Sequence, residues 1–207
     1  MRRICLSFSI LLLFTALLKA SEIPFSKGVN LTGWLQTSAV TQIQFAKYSK
    51  QDFINIKNLG CDVIRLPVNL HAMTNGAPDY TVDDLFFFFM DQIVDWAEEL
   101  EIYLILDNHS FDPDISTDPA IGDVLVSVWT QMAEHLKGRS SYILYEVLNE
   151  PHDIADLTWN SIQQNVVTVI RSIDTTHTIV IGGAGWNSYN SVTHYHYDAC
   201  QKLSQCS

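Results

Sequence analysis

An α/β fold built on a parallel sheet is predicted by three features of the chain. From residue 27 onward, short apolar runs alternate with amphipathic segments of helical period. The runs are continuously apolar, as expected of strands that crossover helices bury. Polar residues suited to chemistry, Arg65, His109, Asn149 and Glu150, collect toward the ends of those runs. In α/β architectures that rim is where ligands and catalytic groups sit.

The elements follow in order. A first strand is expected at 27–34, and Ser49 is placed to cap a helix reaching about Leu59. Phe53, Ile56 and Leu59 share one face of that helix, and Gly60 is its stop. A second strand at 62–68 is ended by Pro67. Thr81, three residues before Asp84, resembles a capping box that opens a second helix. Its apolar positions are Leu85, Phe89, Ile93, Ala97 and Leu100, and the phenylalanine run at 86–89 reads as helix core rather than as a ligand platform. A third strand is expected at 102–108. Asp118-Pro119 opens a third helix, with Pro at the first helical position. Val124, Val128, Met132 and Leu136 mark its buried face. A fourth strand at 142–149 precedes a helix at 156–173 that buries Trp159, Ile162, Val166 and Ile170. A fifth strand is expected at 178–183. No glycine-rich phosphate loop follows the first strand, which argues against dinucleotide binding.

Composition narrows the function. The 207 residues are 47% apolar and 17% charged, a globular balance rather than that of a disordered chain. A formal net charge of −11 excludes the basic surface that a nucleic acid or a polybasic membrane anchor requires. A neutral substrate is compatible with it. Arg2, Arg3, the apolar run at 4–18 and Ala20 read as a secretory signal peptide over residues 1–20, cleaved near Ala20. The run is short for a membrane span. The expectation is therefore a secreted protein, extracellular or periplasmic, with no membrane attachment after cleavage. Cys61 is expected to be a small buried residue, and Cys200 and Cys206 either pair after export or remain thiols. There is no metal-spaced Cys/His set, so no metal is expected.

The most informative stretch is Tyr145-Glu146-Val147-Leu148-Asn149-Glu150-Pro151-His152. An apolar strand runs into Asn-Glu-Pro, where Pro stops the pairing and Glu lands at the rim. A general acid needs a carboxyl that can hold its proton, and a partly enclosed strand end supplies such a place. The adjacent Asn can hydrogen-bond a substrate hydroxyl.

In these pieces the chain resembles glycoside hydrolase family 5, the cellulase family. KGVNLTGW at 27–34, DVIRLPV at 62–68, LILDNH at 104–109, YEVLNEP at 145–151 and IVIGGAGWN at 179–187 fall in the family's order. The resemblance implies a TIM-type (β/α)8 barrel, incomplete here, with about five strands and four helices present. It implies retaining hydrolysis of internal β-1,4 bonds in cellulose or a related β-glucan, by a monomer that needs no cofactor. Glu150 is implied as the acid/base and Asn149 as the residue that hydrogen-bonds the sugar beside the cleaved bond. Arg65 is implied to orient and keep ionised the nucleophilic carboxylate, and His109 to line the cleft. Trp34, His152 and Trp186 are candidates for sugar contact, with packing as the equal alternative.

One part of the pattern is missing. A retaining glycosidase needs two carboxyls about 5–5.5 Å apart. No Glu follows Glu150, and the later carboxylates are Asp153, Asp156, Asp174 and Asp198. Glu146 shares strand parity with Glu150, but four residues of strand separate them by about 13 Å. Glu146 is expected instead to be a barrel-interior partner of Arg65. The segment 191–207, with His194 and His196, is an atypical tail after a partial barrel domain at 21–190. The chain is thus expected to be truncated and inactive as a 207-residue polypeptide. The alternatives are a non-catalytic carbohydrate-binding remnant, or a truncated barrel glycosidase of mannanase or xylanase type.

Overall fold

A computed structural model of the chain describes residues 24–111 and 117–188. The segments carrying the leader pattern, Cys200, Cys206, His194 and His196 lie outside those residues. The described residues form five strands and four α-helices. They run β1 (Gly28–Asn30), α1 (Lys50–Asn58), β2 (Val63–Val68), α2 (Asp84–Glu99), β3 (Tyr103–Asn108), α3 (Ile121–Leu136), β4 (Ile143–Glu146), α4 (Asp156–Ile173) and β5 (Thr178–Val180). The strands lie in chain order in one sheet, every pair parallel. This is the strand–helix alternation expected from the hydrophobic pattern.

Register divides the sheet into two faces, because side chains alternate along each strand. Ile64, Leu66, Leu104, Leu106, Ile143 and Tyr145 point to one face and join Phe53, Met90, Trp129 and Trp159 of the helices in a single apolar core. On that side Trp129 donates its indole N–H to the Val147 carbonyl at 2.9 Å. On the opposite face the register aligns Asn30 with Arg65, and Asp107 with Glu146 and Val180. That face carries the polar groups.

Several local expectations are corrected. Ser49 does begin α1, with the Asp52 carboxylate accepting from its backbone N–H at 2.7 Å and its hydroxyl at 2.8 Å. The helix stops at Gly60, whose φ of +81° suits glycine. Leu59, however, is 71% exposed, because it follows the last helical residue and turns away from the core. The cap of α2 is Asp83 rather than Thr81, its carboxylate accepting from Leu85 N–H at 2.8 Å. Ile93 and Ala97 of α2 are buried as expected and Leu100 packs on the core, but in the first half of the helix Phe86 and Met90 take the inward positions expected of Leu85 and Phe89, one residue further along. Only part of the phenylalanine run is core: Phe86 is buried, Phe87 packs on His135, and Phe88 is 64% exposed. In α4, Gln163 occupies the buried position next to Ile162 and meets the Gly182 backbone.

Strands β1, β4 and β5 are shorter than their apolar runs. β1 gives way to a turn in which Gly33 has φ of +64°, and Trp34 then packs into the core. β4 ends at Glu146. The next residues keep single contacts with both neighbours, Val147 N–H to the Val180 carbonyl at 3.1 Å and Asn149 N–H to the Asn108 carbonyl at 2.9 Å.

Candidate active site

The site starts from Arg65, in the middle of β2 on the polar face. Its guanidinium meets Glu146 in a two-pronged pair, Nε to Oε2 at 2.7 Å and Nη2 to Oε1 at 2.8 Å. Such bidentate geometry fixes both side chains. Nη2 also reaches Asp107 Oδ2 at 2.9 Å and donates to Asn149 Oδ1 at 3.0 Å. The same Asp107 oxygen lies 2.7 Å from His109 Nδ1, and His109 Nε2 lies 3.3 Å from Asn149 Nδ2. Arg65, Asp107, His109, Glu146 and Asn149 thus form one connected network across β2, β3 and the end of β4.

Electrostatics follow from that sharing. Burial alone would weaken the positive charge of Arg65, but the Glu146 hydrogen bond and the charge of Asp107 outweigh it and hold the guanidinium above its ordinary value. Burial pushes the Glu146 carboxyl up, and the charge of Asp107 adds to this against the pull of Arg65. Burial is the largest cause, and a second carboxylate beside the same guanidinium acts in the same direction.

Glu150 stands beside this network and is exposed. It does not continue the strand: its φ is +41°, a left-handed conformation that costs a non-glycine residue about 1–3 kcal/mol. Strand parity therefore does not describe where it points. Phe111, Asp153, Trp186 and Asn187, in the neighbouring rim loops, also have positive φ. The loops are tied together. Thr117 and His152 exchange bonds of 2.9 and 3.0 Å, and Trp186 N–H donates to the Pro151 carbonyl at 2.9 Å. The His152 ring is buried and stacks on Trp186, with centroids 3.7 Å apart and planes at 14°. Its Nδ1 lies 2.9 Å from the Glu150 carbonyl oxygen.

A cavity of about 310 Å³ opens between the loops after β3 and β4. His109, Asn149 and Glu150 line it together with Ile121, Val124 and Leu148. Apolar lining with a few convergent polar groups is the usual character of a ligand site. Gly182 supports the rim from below: its carbonyl accepts from Trp159 Nε1 at 2.8 Å, and a Cβ on it would meet Asn187 Oδ1 at 1.9 Å.

The structure brings Arg65, His109, Asn149, Glu150 and His152 to one rim, with Trp186 half-exposed beside them. Trp34 is elsewhere. It is buried in the core, and its indole N–H donates to the Gln44 carbonyl at 3.1 Å. Asp107, fully buried at the centre of the network, is not among the site residues expected from the sequence. The signal was present, since Asp107 precedes His109 by two residues and shares its face. Of the carboxylates after Glu150, Asp153 and Asp156 lie in the adjoining loop and at the start of α4. Asp174 is tied on the helix side by the Tyr145 hydroxyl at 2.8 Å and His177 Nδ1 at 2.5 Å. Among the described residues no group of three or more His, Cys, Asp or Glu could hold a metal ion, and no helix is long and apolar enough to cross a membrane.

Known proteins share this architecture. Endoglucanase 3 of Fibrobacter succinogenes is 28% identical over 182 residues, covering 79% of this chain and 27% of that protein. Endoglucanase C of Acetivibrio thermocellus is 29% identical over 182 residues, covering 82% of this chain and 52% of that protein. The chain therefore spans about half, or less, of the length of these relatives. The crystal structure of endoglucanase Cel5A from Thermotoga maritima superposes with a TM-score of 0.74 at 24% identity, over 82% of this chain and 55% of that one. Cel5A has also been solved with mannotriose, and that structure matches at 25% identity with a TM-score of 0.73. The family model described as cellulase, glycosyl hydrolase family 5, matches residues 20–200. With five βα-ordered strands, a rim built on Asn149-Glu150 and that match over most of its length, the chain belongs to the cellulase family, glycosyl hydrolase family 5.

Proposed function

We propose that this chain carries the acid/base half of a retaining endo-β-1,4-glucanase site acting on cellulose or a related β-glucan. The observation that supports it most is the placement of Glu150 at the mouth of the cavity, beside an Asn149 amide held by both Arg65 and His109. In this reading Glu150 protonates the leaving oxygen and later activates water. Asn149 holds a hydroxyl of the sugar at the cleaved bond. Arg65 orients the second carboxylate. Trp186, with one ring face on His152, offers the other as an apolar surface for a sugar ring, and His152 acts by holding it. Cel5A structures with mannotriose and with cellobiose support a cleft that accepts oligosaccharides of more than one hexose.

No Glu follows Glu150 in these 207 residues, and the later carboxylates are all Asp. A polypeptide of these 207 residues alone is proposed to bind β-glucan without turning it over. Residues 1–20 are proposed to direct export, with Ser21 as the first residue of the mature protein; N-terminal sequencing of secreted material beginning elsewhere speaks against it.

Glu150→Gln tests the assignment in a form of the protein that hydrolyses β-glucan. Loss of the proton donor is expected to lower turnover by about 10²–10⁴-fold. Substrates with activated leaving groups should lose less, because they need less protonation. Unchanged turnover on cello-oligosaccharides ends the assignment.

A further inference from the structure

We propose that Asp107 is a positioning residue for Asn149, acting through the tautomer of His109. The Asp107 side chain is fully buried, and its Oδ2 faces two groups at once, Arg65 Nη2 at 2.9 Å and His109 Nδ1 at 2.7 Å. A carboxylate oxygen so placed accepts and does not donate. The proton of a neutral His109 ring therefore sits on Nδ1, and Nε2 presents a lone pair. That lone pair faces Asn149 Nδ2 at 3.3 Å. An amide nitrogen donates, so this contact turns the NH₂ of Asn149 toward His109. On its other side, Asn149 Oδ1 accepts from Arg65, which can only donate, at 3.0 Å.

Two independent constraints thus select the same amide orientation. His109 uses one N–H of Asn149 and leaves the second for a hydroxyl in the adjoining cavity. With the proton on Nε2 instead, the ring would face Asn149 with a donor. The amide would then either turn over and lose its bond from Arg65, or keep that bond and set two donors face to face. Charge balance for Arg65 does not require Asp107, because Glu146 already supplies a bidentate partner. In this arrangement Asp107, together with Arg65, sets which face of Asn149 a sugar meets. The last step rests on the proposed role of Asn149 in sugar binding, and the tautomer itself does not.

The test uses the 207-residue chain labelled with ¹⁵N-histidine, with the His109 ring signals assigned through the His109→Gln variant. The wild-type ring is expected in the Nδ1–H form. Asp107→Leu is expected to convert it to the Nε2–H form. Glu146→Gln, which alters the partner of Arg65 without touching His109, is expected to leave it unchanged. An Nε2–H ring in the wild type overturns the proposal even if Asp107→Leu fails to fold. So does an Nδ1–H ring that survives Asp107→Leu, or an equal change in Glu146→Gln. Cellotetraose binding, measured by calorimetry on the same samples, is expected to weaken about tenfold in Asp107→Leu, the worth of one hydrogen bond. A wild-type chain that binds no cellotetraose yet shows the Asp107-dependent tautomer refutes the sugar-binding role and leaves the positioning intact.

Discussion

On the helix-covered face of the sheet, Ile64, Leu66, Leu104, Ile143 and Tyr145 are sealed from solvent. On the opposite face, one residue further along the same strands, Arg65, Ile105 and Val180 are only partly covered and Asn30 is exposed. The covered face is closed by four amphipathic helices that the chain supplies between its own strands. The open face is the interior of a barrel, which layers of side chains from all its strands would fill. Among the described residues, five strands contribute to it. Where apolar layers are thin, ionic and hydrogen-bonded contacts take over: the Arg65–Glu146–Asp107 cluster fixes side chains that packing leaves loose. The helix side therefore carries the stability, and the open side carries the candidate site.

That division can be broken at a single residue. Trp129→Ala removes a fully buried ring and leaves the Val147 carbonyl without its indole donor. The expected cost is about 3–5 kcal/mol, a large share of the roughly 5–15 kcal/mol of a whole domain. Denaturant titration of the variant should show a chain largely unfolded before the wild type begins its transition. A loss below about 1 kcal/mol would mean that the helix side is not where stability resides.

A titration on the helix side sharpens the comparison further. Burial would raise the Asp174 carboxyl, but bonds from Thr176 N–H, His177 N–H and the Tyr145 hydroxyl hold it at about 2 against an ordinary 3.8. A depressed folded-state value stabilises fully above the ordinary value and is lost as pH falls through about 2. The size is about 2 kcal/mol. Melting curves of Asp174→Asn and wild type should differ at pH 6 and converge near pH 2. A gap that is constant across that range assigns the effect to something other than the charge.

The smallest expected effect compares matched substitutions on the two faces. Ile64→Val, in the covered face, should cost about 1 kcal/mol. Ile105→Val, on the half-covered open face, should cost about half as much. Equal costs in urea unfolding would show the open face to be as tightly packed as its opposite.

Much of this was legible along the chain because strand parity is a local property. The pairing of Arg65 with Glu146 follows from inward-facing positions on β2 and β4, and the structure shows it at 2.7 and 2.8 Å. Strand parity fails at Glu150. Pairing of β4 ends at Glu146, and Glu150 adopts a left-handed backbone whose carbonyl faces His152 Nδ1. Trp34 was open between sugar contact and packing for the same reason. A turn at Gly33, invisible in hydropathy, carries it into the core.

The sequence by itself determined the order and type of the elements, the covered face of the sheet and the Asn149-Glu150 rim. Each of these follows from periodicity or from residue chemistry within a few positions. Only the tertiary structure decided which helix residues face inward by one position or the next, where each strand stops, and which ring is free at the rim. It alone placed Asp107 between Arg65 and His109, because that contact joins residues 42 apart in sequence. Such choices depend on what the rest of the fold brings alongside, and no local pattern records a neighbour that arrives from another strand.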